Sequence, residues 1–450
     1  MILKLIPKWV CASVVGITLT AVNAPVWSLD LSLAYKAAQE QDPRIRAARA
    51  GRDAAMERIP QARSQLLPSI TASAAHYKND LDQIQKNLLG KEVPSSDRYI
   101  SYNQTLQIRQ PLFRKPLWEG LRQADFIVED AQATLEREEQ ELAMRVTGAY
   151  MEALLAQDAL TLAQKKQSVT TTQLDAAKKK FAAGNGTRTD IDEVQARLDM
   201  DDANVVSTRQ QLAQAKQQLE IIIGQPVADL ASVDTARLPL LFPEPASVEH
   251  WVTQAQAHSP EVRALQARAD SAQTEIEKAK GGHYPTLDAV AQVTRSASEN
   301  VTSPGSRYTN RSLGLQLNVP LFAGGYTQST VRQAVAELVR AQENLEAVRR
   351  DLAVRVHGEY RGVSEGILKI RALEQAERSG EQLVKSSRRS HEVGNRSLLD
   401  VLNAEQQLQT TQRDLAEARY RYLLARVRLR ALAGEDIEQS IQEINGWLMQ

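Results

Sequence analysis

FAAGNGTRTD, from Phe181 to Asp190, and HEVGNRSLLD, from His391 to Asp400, place the same glycine–asparagine corner at two points 210 positions apart. Each corner interrupts a long tract of Ala, Gln, Leu, Glu, Arg and Lys, which are strong helix formers. We expect each corner to join a long helix to a shorter return helix. The two corners therefore predict a chain built on two long helical hairpins.

Proline placement supports these hairpins. All 16 prolines lie outside two tracts, Leu117 to Gln225 and Leu321 to Gln450. Both tracts are predicted to be helical, because a proline inside a helix costs ~3 kcal/mol. The longer helix of each hairpin would reach ~100 Å at 1.5 Å per residue. Apolar residues recur at heptad-like spacing in the second tract, as at Leu408, Leu415 and Leu429, which indicates antiparallel coiled coils.

Self-comparison extends the duplication beyond the corners. LLPSITA, beginning at Leu66, recurs as HYPTLDA at an offset of 217, and RQPLF, beginning at Arg109, recurs as NVPLF at an offset of 209. We expect two structural repeats, residues 29–230 and 247–450. The eight extra residues of the first copy are predicted to lie in a polar loop from Asn79 to Asp97.

A different pattern lies between the short and long helices of each repeat. Apolar and polar residues alternate from Ile100 to Ile108 and from Leu313 to Val319, with weaker partners at Ile70 to His76 and Leu287 to Val293. Alternation of this kind suits strands that face lipid on one side and water on the other. Each repeat would supply one hairpin. Four strands cannot close a barrel, so oligomerisation is required, and two, three or four copies all remain possible.

Composition excludes several classes of protein. Lys and Arg together number 55, as do Asp and Glu together, so the charge balance does not suggest a nucleic-acid partner.

Residues 1–28 have the order of a secretory signal peptide: charged residues, then an apolar run, then small residues. The only cysteine, Cys11, lies inside this segment. No later stretch reaches ~18 residues without charge, so any membrane crossing must be made by strands.

Four phrases carry a family resemblance: GHYPTLD (Gly282–Asp288), VPLFAGG (Val319–Gly325), VGNRSLLDVLNAEQQL (Val393–Leu408) and ARYRYLLARVRLRALAG (Ala418–Gly434). With the element order and the duplication, they resemble the TolC family, in particular its type I secretion members. The resemblance implies a mainly α protein with membrane β: a homotrimer whose twelve strands, four from each chain, form an outer-membrane barrel above a helical periplasmic tunnel. It implies a passive channel without cofactor or enzymatic activity, working with a periplasmic adaptor and an inner-membrane transporter of the ABC type.

The resemblance also assigns roles at the corners. Thr189, Asp190, His391 and Arg396 would close the periplasmic end of the tunnel, with Arg396 bridging to Asp190. Asp400 and Asn403 would face the pore and set its ion selectivity. Two of these positions depart from the type member of the family, which has a tyrosine where His391 stands and an aspartate where Asn403 stands.

Simpler interpretations stand beside these roles. Asp190 and Asp400 each follow a hydroxyl residue by three positions, which is also the pattern of a helix capping box. Gly362 to Gly366 matches a hydrolase nucleophile motif, but it lies in a predicted helix, and the six histidines lack metal-ligand spacing. Drug or metal efflux remains an alternative to protein secretion. A soluble periplasmic coiled-coil adaptor is a weaker alternative, because it has no use for aliphatic strand faces.

Overall fold

The computed structural model describes residues 29–86, 89–233, 238–298 and 306–448. The predicted signal peptide, residues 1–28, lies outside these described residues. Among the described residues, no helix combines the length and the apolarity that a membrane crossing requires.

Two helical hairpins dominate the molecule. The first consists of α4 (Lys115–Ala182, 68 residues) and α5 (Arg188–Ile223), and the second of α8 (Tyr326–Glu392, 67 residues) and α9 (Leu398–Leu432). Each long helix therefore spans ~100 Å. The helices predicted from proline placement are confirmed, and Pro116, the one proline they contain, lies in the first turn of α4, where it costs no hydrogen bond.

The corners between the helices form as their composition predicts. Gly184 and Gly394 adopt φ angles of 74° and 79°, a left-handed conformation that ends a helix and that glycine adopts without steric cost. The return helices are capped by Thr187 and Ser397, whose side chains accept hydrogen bonds from the backbone N–H three residues later. Both return helices therefore start in a complete capping box.

The four strands form one antiparallel sheet in the order β1-β2-β3-β4: β1 is Ser69–Lys86, β2 Glu92–Phe113, β3 Thr286–Ser298 and β4 Ser306–Asn318. β2 pairs with β3, so the sheet joins the two halves of the chain. β1 and β4 each keep one edge without a partner strand in the described chain.

The predicted loop from Asn79 to Asp97 is wrong in extent. The pairing of β1 with β2 continues without interruption to Lys86 opposite Glu92, so most of the eight extra residues lengthen a hairpin. The hairpin of β1 and β2 extends farther from the helices than the strands β3 and β4 do. β3 ends at Ser298, and β4 begins at Ser306. A polar sequence of this kind is typical of a loop, but a two-stranded ribbon surrounded by water needs no apolar face.

Seven shorter segments pack against the long helices between their middle and the sheet: α1 (Leu31–Gln41), α2 (Pro43–Met56), α3 (Arg58–Ser64), α6 (Val248–His258), α7 (Pro260–Lys280), a 3₁₀ turn (Gly281–His283) and α10 (Ile437–Asn445). The main hydrophobic core lies beside the middle of the long helices, with Tyr150, Ile367 and Tyr422 fully buried. The Tyr150 hydroxyl donates to the carbonyl oxygens of Leu29 and Ala231, at 2.8 and 3.0 Å. This core holds the two helical hairpins together.

The second helical tract does not run to Gln450 as predicted. α9 ends at Leu432, Gly434 turns the chain at φ 76°, and α10 follows as a separate helix. A Cβ on Gly434 would lie 2.7 Å from the Cβ of His258, closer than any real Cβ contact. Glu443 on α10 then pairs with Arg426 of α9 at 2.7 Å, which holds the C-terminal segment against the core.

The hydrolase-like motif lies inside α8, as the sequence analysis expected. A Cβ on Gly362 would lie 3.1 Å from the Cβ of Ala425, and one on Gly366 would lie 3.6 Å from that of Tyr422. The Ser364 hydroxyl donates to the Tyr360 carbonyl within the same helix. These glycines therefore allow α9 to pack closely against α8.

Candidate functional site

The two glycine corners come together at the end of the molecule far from the sheet. Between them lies a cavity of about 300 Å³, lined by charged residues together with small or apolar ones. Its lining includes Lys180, Asp190, Arg388, His391 and Glu392, with Ala176, Ala177, Leu398 and Val401. The structure thus brings together Asp190 and His391, which are 201 positions apart in the sequence.

Asp190 serves as the capping residue of α5. Its Oδ2 accepts the backbone N–H of Thr187 at 3.0 Å, and its own N–H donates to the Thr187 hydroxyl at 3.1 Å. These hydrogen bonds lower the pKa of the carboxyl group, and the nearby positive charges of His391 and Lys180 add to the effect. The carboxylate therefore stays ionised at neutral pH and presents a negative charge to the cavity.

Arg396 has a different partner within the chain. Its Nη1 donates to the Ser387 hydroxyl at 2.9 Å, and its carbonyl oxygen lies 3.0 Å from Nδ1 of His391. Among the described residues, His391 and Glu392 of the second corner line the cavity with Asp190, and no ion pair joins Arg396 to Asp190. The predicted bridge between these two residues would have to form in the assembled protein and stays a prediction.

Thr189, the fourth predicted gate residue, is exposed in the first turn of α5. Its side chain makes no hydrogen bond within the described residues, in contrast to Thr187 two positions earlier. Thr189 is therefore open to a neighbouring chain.

Asp400 and Asn403 lie one turn apart on α9 and are both exposed, whereas Val401 and Leu402 are buried. The Asp400 carboxylate accepts the Ser397 hydroxyl at 2.8 Å and the Ser397 N–H at 3.1 Å. Those contacts, the hydroxyl first, lower its pKa. The capping interpretation of Asp400 is confirmed. The same side chain is also exposed, as a pore-facing residue must be, and its pore-facing role stays a prediction.

Sequence reasoning missed the residues that tie the hairpins together above the corners. The Glu405 carboxylate of α9 accepts a hydrogen bond from Arg388 of α8 at 2.6 Å and another from Gln173 of α4 at 3.0 Å. A single carboxylate thus links three helices. The partners are 17 and 232 positions from Glu405, so no local pattern could have predicted the contact.

A second missed cluster lies where the sheet meets the helices. Asp288 of β3 is 3% exposed and pairs with Arg109 of β2 at 2.7 Å and with Arg114, which precedes α4. Two cations around one buried carboxylate form a strong, geometrically defined contact. The cluster fixes the first long helix to the polar face of the sheet.

Comparisons with known proteins agree with this architecture. A model of the outer membrane efflux protein family matches residues 34–225 and 251–435. The proteases secretion protein PrtF of Dickeya chrysanthemi is 31% identical over 440 residues, covering 97% of this chain and 95% of that protein. The alkaline protease secretion protein AprF of Pseudomonas aeruginosa is 34% identical over 423 residues, covering 93% and 87%.

A solved structure of CusC, described in terms of folding and transmembrane channel formation, superposes with a TM-score of 0.78 at 15% identity. The superposition covers 91% of this chain and 93% of that chain. This likeness shows the fold, and the predicted fold class, a mainly helical chain with four antiparallel strands, is confirmed.

Proposed function

The chain belongs to the outer membrane efflux protein family, export channels of the outer membrane that extend into the periplasm, and from this premise we propose that it serves type I protein secretion. In this role it is the exit duct for a polypeptide that an ABC transporter drives from the cytoplasm. The observation that carries the proposal is the full-length likeness to two proteins named for the secretion of proteases.

The assembly proposed is a homotrimer that docks with a periplasmic adaptor and an ABC transporter in the inner membrane. The free edges of β1 and β4 support it, because an unpaired strand edge cannot remain in lipid and a second copy offers the matching edge. Three chains of four strands give twelve. Residues 29–230 and 247–450 would then contribute as two copies of one unit, each with a hairpin of strands and a hairpin of helices.

We place the gate at the two glycine corners. Thr189, Asp190, His391 and Arg396 are its proposed residues, and Asp400 with Asn403 would line the pore just inside it. The cavity between the corners supports this placement, because a gap of about 300 Å³ leaves room for the helix ends to shift. Asp190 would hold His391 within a chain, while Arg396 would reach the Asp190 carboxylate of a neighbouring chain.

Drug or metal efflux is the alternative function. The description of the matching family as efflux proteins favours it, since one duct can serve several transporters. The two functions differ in the cargo and in the inner-membrane partner, and they can be separated in one host.

The test is reconstitution in a Gram-negative host that lacks its own secretion duct. The chain is expressed with a protease, its ABC transporter and its adaptor, and protease activity in the medium is measured. Secretion at a level well above the duct-free control is expected, without a rise in drug resistance. Restored drug resistance through a proton-driven pump, with no secreted protease, would favour the efflux alternative instead.

A further inference from the structure

The outward face of the sheet changes from apolar to basic along its length. Strand register places its residues in rows that cross β1, β2, β3 and β4 in turn. From the helices outward, successive rows are Ile70, Ile108, Ala291, Leu313; then Ala72, Leu106, Val293, Arg311; then Ala74, Gln104, Arg295, Thr309; then His76, Tyr102, Ala297, Arg307. The first row is wholly apolar, and the next three each add one arginine.

This face is the lipid-facing one. Its neighbours on the other face are polar, as in the contact between the Thr105 and Thr294 hydroxyls at 3.4 Å, and the buried Asp288 lies there too. Leu313, Leu315 and Leu317 are 85%, 70% and 62% exposed on the outward side. An outer-membrane strand presents its aliphatic side chains to lipid in this way.

The three arginines lie at the outer boundary of the apolar band. On β4 the outward apolar positions are Leu317, Leu315 and Leu313, and the exposed Val319 and Leu321 continue the alternation just past the end of the strand. Arg311 is the next outward position beyond Leu313, on the side away from the helices.

The register also brings the three side chains together. Arg295 pairs directly with Thr309, and Arg307 and Arg311 lie two residues to either side of Thr309 on the same face. Diagonal neighbours of this kind have Cα atoms ~7–8 Å apart, within reach of long side chains. All three guanidinium groups can therefore meet over the Thr309 hydroxyl, which adds a fourth donor.

The cluster has no counter-charge in the part of the chain that the structure describes. All three arginines are exposed, and none has a carboxylate within 4 Å among the described residues. Farther out, by contrast, Arg98 pairs with Asp80 across β1 and β2 at 3.0 Å. Like charges placed side by side on a sheet are destabilising unless an anion lies between them. A bound anion would relieve this repulsion.

We propose that Arg295, Arg307 and Arg311 bind the phosphate groups of an anionic glycolipid in the outer leaflet of the outer membrane. The guanidinium group suits this ligand, because its planar fork donates two parallel hydrogen bonds to phosphate. Lipid is the occupant that the geometry favours, since the site continues directly from the surface that contacts acyl chains. The ligand's acyl chains would lie along Leu313 and Val293, with its phosphates above them.

The test measures lipid binding to the full-length protein purified in nonionic detergent, by native mass spectrometry. Bisphosphorylated lipid A is the probe, and its dephosphorylated form and phosphatidylglycerol are the comparisons. Wild type should bind bisphosphorylated lipid A about tenfold more tightly than either comparison lipid. The combined variant R295Q/R307Q/R311Q should lose about tenfold in affinity. The matched control R188Q/R340Q/R421Q, which removes three exposed helical arginines, should stay within about twofold of wild type.

Equal affinity of the combined variant and wild type would overturn the proposal. So would equal binding of phosphatidylglycerol, which would indicate a general attraction for anionic lipid, or displacement of lipid A by inorganic phosphate at about 1 mM, which would indicate a site for free anion. If the combined variant fails to assemble, the three single Arg→Gln variants take its place. Each should bind about threefold more weakly than wild type, and unchanged binding in all three would equally overturn it.

Discussion

At the scale of single residues, the corner charges can be tested one at a time. Asp190→Ala or Arg396→Ser should raise single-channel conductance in planar bilayers several-fold, because each removes one partner of the contacts proposed to hold the gate closed. Arg188→Ser is the matched control: it removes an exposed arginine from the same corner, paired only with Asp192 of its own helix. Conductance at the wild-type level in both gate variants would exclude these residues from the gate.

The gate should also respond to pH. The lowered pKa of Asp190 keeps its carboxylate ionised between pH 5 and 8, because the stabilisation that lowers the pKa is lost only as pH falls through that lowered value. Opening should therefore stay rare between pH 8 and 5 and become more frequent only as pH falls through that lowered value, where Asp190 loses its charge. In Asp190→Ala, opening measured in bilayers should not change with pH over that acid range.

Asp400 and Asn403 should control the block of the pore by cations. Three copies of Asp400 in a confined aqueous space would attract multivalent cations, so Asp400→Ala should abolish block from the periplasmic side. Asn403→Asp should tighten it by adding a second acidic ring. If Asp400→Ala leaves block and selectivity unchanged but lowers the melting temperature, Asp400 acts only as the cap that its contacts with Ser397 already show.

Residue contacts were the least predictable level. The capping boxes at Thr187 and Ser397 follow from a pattern of four neighbouring residues, so the sequence alone predicts them. The link of Glu405 to Gln173 depends on how two distant hairpins pack, and nothing near either residue signals it. Arg396 was assigned to Asp190 through resemblance, whereas within the chain it donates to Ser387.

At the scale of elements, two glycines that follow helix ends offer a sharp comparison. Gly434→Ala should destabilise the protein by about 2–3 kcal/mol, because alanine both resists the left-handed conformation and would clash with His258. Gly394→Ala is the control: its φ of 79° is similar, but nothing lies within 4 Å, so about 1 kcal/mol is expected. The melting temperatures of the two variants, scanned at one rate, would measure the difference. Equal losses would mean that the packing around His258 relaxes.

The elements themselves could be predicted to different degrees. The proline-free tracts predict the extents of the long helices well. Proline is excluded from a helix interior for steric reasons that no tertiary contact removes. The sequence does not predict the strand ends, because apolar and polar residues alternate only where one face of a strand meets lipid. The polar half of the hairpin between β1 and β2 meets water on both faces, so its sequence has no period to detect.

At the scale of the whole molecule, the two free sheet edges demand partners. The protein purified in detergent should sediment as a trimer and give a circular dichroism spectrum dominated by helix, with a strand contribution. Analytical ultracentrifugation would measure the mass of the protein part. A detergent-stable monomer would contradict the proposed assembly, because its edge strands would then be left unpaired.

The pairing of β2 with β3 also determines the order in which the strands can fold as the chain emerges into the periplasm. β2 ends at Phe113 and β3 begins at Thr286, so the 172 residues between them must be exported before β2 can pair with β3. During that interval the first hairpin waits with an aliphatic face and an open edge, the two features that promote aggregation. Such distant pairing forms slowly. The newly exported chain therefore needs a chaperone that covers β1 and β2 until β3 and β4 have been exported.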